Sequence, residues 1–154
     1  GLTTQLGFPY TFSAWVKLDV ATDSGAIYTH SSTTTIVQTS VSGVDAIYDP
    51  GAGTNDFCLA DSPAILDASW HHVAVPWTSS SNFKVYVDGK DVSVSISGPQ
   101  ACGAWNLGTG VTIGGTGGVG DANDYIDGTI DEVRIYNRAL SSDEIKAIYL
   151  SGVR

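Results

Sequence analysis

The chain is expected to fold as an all-β, two-sheet antiparallel sandwich with one short C-terminal helix. Three observations lead there. First, "NFKVYVDGK" alternates with period two: Phe83, Val85 and Val87 on one side, Lys84 and Tyr86 on the other. Its Asp88-Gly89 is a strong hairpin-turn signal leading into "DVSVSIS". Second, short β-rich runs recur between clusters of Gly, Ser, Thr and Asp, with no helical period between them. Third, a helical pattern occurs once, near the C-terminus.

Taken in order, "YTFSAWVKL" is a strand with Phe12, Ala14, Val16 and Leu18 on one face. "GAIYTH", "TTIVQTS" and "DAIYD" are short strand candidates. "SWHHVAVPW" turns Val73 and Val75 inward, and Pro76 is expected to end its clean ladder because proline has no N–H to donate. After the Asp88-Gly89 hairpin come "GVTIGG" and "IDGTIDEVRIYN". In the latter, alternation puts Asp131 in phase with Val133 and Ile135, so a carboxylate is expected to point inward. The helix then opens at Ser141. Glu144, three residues on, completes a capping box. Ile145, Ile148 and Tyr149 form its apolar stripe, and Gly152 is a plausible stop.

Length and composition bound the function. The 154 residues form one domain, 1–154, with room for a sizeable core. The absence of methionine and the abrupt start read as a segment of a longer protein. No signal-peptide pattern opens it, and no apolar run approaches the roughly 18–20 residues that span a membrane. Sixteen acidic against seven basic residues leave a net charge of −9, which argues against nucleic acid or anionic lipid as a partner. Such a surface suits an extracellular or salty environment. Cys58 and Cys102 can form one disulfide outside the cell or remain two buried thiols.

Four stretches, "FSAWVKLD", "SWHHVAV", "KVYVDGK" and "IDGTIDEVRIYNRALSSDEIKAIY", occur in that order. Together they resemble the laminin-G-like branch of the concanavalin A-like lectin/glucanase jelly rolls. The resemblance covers nearly the whole chain. It implies a two-sheet jelly roll, one sheet concave, often holding a structural calcium ion, in secreted or surface proteins that bind glycans or proteins. The family also has a strand ahead of the "FSAW" strand, near the terminal one. Only Gly1 to Pro9 precede here, so that strand is expected to be missing or shortened.

An inward Asp131 would need a partner, because a buried lone carboxylate is costly. Calcium, which takes six to eight oxygen ligands, is one answer. Hydrogen bonds from loop amides, or a pair with Arg138, are the others. Asp121, Asp124 and Asp127 form a second acidic cluster in "GDANDYIDG". An EF-hand count over Asp121, Asn123 and Glu132 fails, because Tyr125 and Ile126 fall where an oxygen ligand and a glycine are needed. That stretch reads as a solvated loop.

Catalysis finds little support, and the chain is not expected to be an enzyme. The Glu-x-Asp-x-Glu strand of related glycosidases is absent, and there are only two glutamates, Glu132 and Glu144. His71 and His72 are adjacent in a strand, so they point to opposite faces and cannot grip one ion. Binding is better supported. Sugars offer apolar C–H faces and hydroxyl rims, so their sites combine a stacking aromatic with carboxylates and amides. Trp15 and Trp70 match family packing positions within strands. Trp105 with Asn106 in "GAWNLG", and Trp77 in "PWTSSSN", sit beside loops and are the expected ligand platforms. Tyr48, Asp49, Asn55 and Asp56 in "IYDPGAGTND" are expected to help. The alternative location is a groove lined by Trp15, His72 and Tyr86 on the non-core face. The expected function is a non-catalytic extracellular glycan-binding module that holds a secreted enzyme or surface adhesin on a polysaccharide. The alternative is a structural or protein-interaction domain of a large cell-surface protein.

Overall fold

A computed structural model describes residues 8–19, 25–30, 35–40, 43–48, 58–61, 67–79, 82–93, 95–97, 110–115 and 125–153. Twelve strands occur among them: β1 (Tyr10–Leu18), β2 (Ala26–His30), β3 (Thr35–Ser40), β4 (Gly43–Tyr48), β5 (Cys58–Asp61), β6 (His71–Ser79), β7 (Asn82–Phe83), β8 (Tyr86–Val87), β9 (Lys90–Asp91), β10 (Ser95–Ser97), β11 (Val111–Ile113) and β12 (Gly128–Tyr136). Helix α1 (Ser142–Ser151) follows. They form two antiparallel sheets. The first runs β12-β1-β6-β8-β9, with β7 also on β6; the second runs β10-β5-β4-β3-β2-β11. The expected sandwich with one C-terminal helix is what forms.

The core lies between the sheets. Phe12, Ala14, Val16 and Leu18 of β1, Val73 and Val75 of β6, and Phe83, Val85 and Val87 enter it as the alternation predicts. Tyr28, Val37, Val44 and Ala46 answer from the second sheet, and Tyr28 stacks on Phe12 at 4.5 Å. Burying such side chains contributes roughly 1.5–3 kcal/mol each. The Asp88-Gly89 turn has φ of +51° and +72°, the left-handed pair that a two-residue hairpin needs to match strand twist.

Two strand readings change. Pro76 does not end β6, which runs on to Ser79. On one side β6 pairs β8 only at Val73 and Ala74, and β7 only from Trp77, so Pro76 falls between the two ladders where no amide is required. Trp77 therefore stays in phase with Val73 and Val75 and enters the core. In β12 a bulge intervenes: Ser13 pairs with Arg134, but Trp15 pairs with Asp131, so Ala14 faces two residues. Glu132 takes φ +48° there. The extra residue reverses the phase. Ile130 and Ile135 pack on the core, and Val133 is 39% exposed.

Helix α1 begins as read. Ser141 accepts the Glu144 N–H, and the Glu144 carboxylate accepts the Ser141 N–H at 2.9 Å. Arg138 grips the same carboxylate with two bonds, at 2.6 and 2.9 Å. The helix lies over the outer face of the first sheet. Its Ile145, with Leu140, Ala74 and Tyr86, forms a second, smaller core. Thr11 Oγ1 fastens the approach to the helix, donating to the Arg138 carbonyl and accepting the Leu140 N–H.

Candidate functional site

One end of the second sheet collects the chain segments that the sequence marks for binding. Val111 pairs with His30, His30 with Thr35, Thr35 with Tyr48, and Tyr48 with Cys58. These five residues form a continuous row across five strands, about 19 Å wide at the usual strand spacing. Ser97, at the end of β10, pairs with Leu59 one step away. Because every neighbour is antiparallel, β2, β4 and β10 all finish at this end, and β3, β5 and β11 all start there. The connections 31–34, 49–57 and 98–110 therefore all leave from one row. The second holds Asp49, Asn55 and Asp56; the third holds Trp105 and Asn106. Those five residues lie outside the described ones. Tyr48 is placed by its backbone within the row.

His30, a member of that row, was not singled out from the sequence. It is fully buried, in phase with core-facing Tyr28, and neither ring nitrogen has a hydrogen-bond partner. Burial lowers its pKa, since a desolvated ring resists protonation. The signal available was positional: a histidine ending a strand two residues after a core aromatic. A neutral imidazole there presents one donor and one acceptor at the loop-bearing end of the sandwich.

Trp77 is a correction. It is fully buried, stacked on Tyr10 at 4.9 Å and tilted against Phe83 at 5.7 Å, so it is a core residue and offers no platform. Trp15 is buried as expected, but on the outer face, against Tyr149 of α1 at 5.8 Å. Trp70 is half-buried and precedes β6 instead of lying within it. The alternative groove of Trp15, His72 and Tyr86 is closed, because α1 lies over it.

Asp131 is a second correction. The bulge turns it away from the core, onto the outer face across from Trp15, and it is exposed. Its Oδ1 accepts the Glu132 N–H at 2.7 Å, and Arg138 is engaged by Glu144. Neighbouring Glu132 pairs with Arg134 at 2.8 Å. Among the described residues, no group of three His, Cys, Asp or Glu side chains is placed to hold a metal. Asp121 and Asp124 lie outside the described residues, as does the pairing of Cys58 and Cys102.

The adjacent histidines diverge as expected. His71 reaches Asp88 Oδ2 at 2.9 Å and Asp67 Oδ1 at 3.2 Å, while His72 is buried under α1 with its Nε2 2.8 Å from Ser13 Oγ. Asp88 joins the two, since its Oδ1 accepts the His72 backbone N–H.

Comparison with known proteins agrees with this architecture. A native heptameric SAP-like pentraxin from Limulus polyphemus superposes with a TM-score of 0.67 at 17% identity, over 92% of this chain and 69% of that one. Domain 4 of AbnA, an extracellular arabinanase from Geobacillus stearothermophilus solved with arabinotriose, superposes with a TM-score of 0.63 at 20% identity, over 92% of this chain and 66% of that one. At these identities the likeness shows fold alone. In sequence, 96 residues are 29% identical to the rat sushi, von Willebrand factor type A, EGF and pentraxin domain-containing protein 1, covering 58% of this chain and 3% of that protein. No helix among the described residues is long and apolar enough to cross a membrane. The family model of the concanavalin A-like lectin/glucanases superfamily, of laminin G type, matches residues 2–146, and the chain belongs to that superfamily.

Proposed function

We propose that this chain is a non-catalytic, extracellular glycan-binding module that holds a larger secreted or surface protein against a polysaccharide. The observation that carries the reading is the row Val111–His30–Thr35–Tyr48–Cys58. The connections 49–57, with Asp49, Asn55 and Asp56, and 98–110, with Trp105 and Asn106, both leave from that sheet end, so the chain brings one aromatic and several polar residue types to it. A sugar needs that combination. AbnA domain 4, solved with arabinotriose, adds an example of this fold with an oligosaccharide. The non-catalytic part rests on the glutamates: Glu144 is committed to the helix cap and Arg138, and Glu132 to Arg134.

The deciding experiment is a glycan array followed by calorimetry on Trp105→Ala and Asn106→Ala. Loss of binding by at least tenfold with an unchanged melting temperature supports the site. Unchanged binding in both variants refutes it. A second reading, a protein-contact domain, is favoured by Leu150 and Val153, which are 61% and 58% exposed at the helix end. An array without a single glycan hit, together with a protein partner lost on Leu150→Asp, would establish it instead.

A further inference from the structure

His72 is 1% exposed on the outer face of the first sheet, beneath α1. Its ring stands between the Trp15 indole, 5.5 Å away and tilted by 57°, and the Tyr149 ring, 6.3 Å away and tilted by 37°. Nε2 meets Ser13 Oγ at 2.8 Å; Nδ1 is buried with no hydrogen-bond partner. Gly152, the C-cap of the helix, lies so close to the indole that a Cβ there would sit 2.7 Å from Trp15 Nε1.

We propose that His72 is the trigger of an acid-released latch: protonation of its ring undocks the Tyr149–Gly152 end of α1 from the first sheet, while the sandwich stays folded. An imidazolium has two N–H donors. Nε2 can donate to Ser13, but buried Nδ1 has no protein acceptor. The charged and titratable groups around the ring come from each packed element. The β8–β9 hairpin supplies Asp88, whose carboxylate is shared with His71, and Tyr86. From β12 come Glu132 and Arg134, themselves an ion pair. From α1 comes Tyr149. Burial is the largest influence and pushes the ring down to about 4. Asp88 and Glu132 oppose it, and Arg134 reinforces it.

The geometry also says which element yields. The start of α1 is fixed by its capping box, by Arg138 and by buried Ile145. Its last turn carries no basic residue to complement the helix dipole, and Ile148 and Tyr149 are only half-buried. The inter-sheet core does not include the helix, so it can survive the release.

The test is amide hydrogen exchange on the intact chain from pH 7 to pH 3.5, corrected for intrinsic rates, with the His72 ring followed by NMR. The expected result is at least tenfold faster exchange at Ile148–Gly152 with the same midpoint as the ring, while β1 and β6 stay protected. His72→Phe should abolish the acid response. If α1 keeps its protection below the ring's midpoint, or loses it together with β1 and β6, the latch is refuted. Persistent acid release in His72→Phe refutes it equally. If that variant does not fold, coincidence of the two wild-type midpoints decides.

Discussion

At the scale of single residues, Trp77 and Glu132 illustrate opposite demands. The Trp77 ring fills the core between Tyr10 and Phe83, yet its buried indole N–H has no partner. Removing the ring leaves a large cavity, whereas removing only the nitrogen removes an unsatisfied donor. Trp77→Ala is therefore expected to cost about 3–5 kcal/mol and Trp77→Phe much less, as urea denaturation would show. Equal losses would mean that the indole nitrogen contributes. Glu132 occupies φ +48° at the β12 bulge, a region that costs an L-residue about 1–2 kcal/mol. Glu132→Gly should relieve that strain at the cost of the partly exposed ion pair with Arg134, so stability should hold or rise slightly. Glu132→Val should lose more than about 1 kcal/mol, because a β-branched residue tolerates the left-handed region worst. If Val is tolerated as well as Gly, the bulge is not anchored at this residue.

At the scale of elements, α1 depends on its cap. Ser141 and Glu144 accept N–H donors that the first turn leaves open, and Arg138, donating to the Glu144 carboxylate, holds that carboxyl down to about 2. Ser141→Ala is expected to cost about 1 kcal/mol. The loss should appear first as faster exchange within 142–147, since the sandwich has its own core. A change spread evenly over the strands would mean that helix and sandwich unfold as one unit. The β12 pairing depends on Gly128, where a Cβ would strike the Lys17 carbonyl; only a bare backbone brings the strand that close to β1.

At the scale of the whole molecule, the response to acid is set by the groups whose pKa folding lowers: buried His30 and His72, and hydrogen-bonded Asp67, Asp91 and Glu144. The His72 pKa is lowered on folding, so the unfolded chain takes up a proton first. Stability is full above about pH 6.5 and falls as pH drops toward 4, by a total on the order of 3 kcal/mol unless the helix gives way sooner. Glu144 is also lowered on folding, to about 2. Its contribution is present above its usual carboxylate range and is lost as pH falls through 2. Urea midpoints measured across pH 8 to 2 should therefore decline in a histidine step and a carboxylate step, with Glu144→Gln reducing only the carboxylate step. A flat curve between pH 6.5 and 4 would mean that His72 is solvated.

The sequence by itself determined the local features: the Asp88-Gly89 turn, the capping box at Ser141, and the alternation of β1 and of the residues from Phe83 to Val87. Each depends on neighbours a few residues apart, so a short window contains the whole physical cause. It also showed, through four ordered stretches, which family's sandwich these strands build. Only the tertiary structure decided the phase of β12, because a single left-handed residue opposite Ala14 reverses every side chain beyond it. Asp131 thus moved from the expected interior to the surface. It alone decided that Trp77 is core, since Pro76 is harmless only where the ladders of β7 and β8 leave a gap beside β6. And it alone brought His30 into the row from which the connections 31–34, 49–57 and 98–110 leave, and His72 under the helix. Those placements arise from strands far apart in the chain, and local periodicity holds no record of which strand will lie beside which.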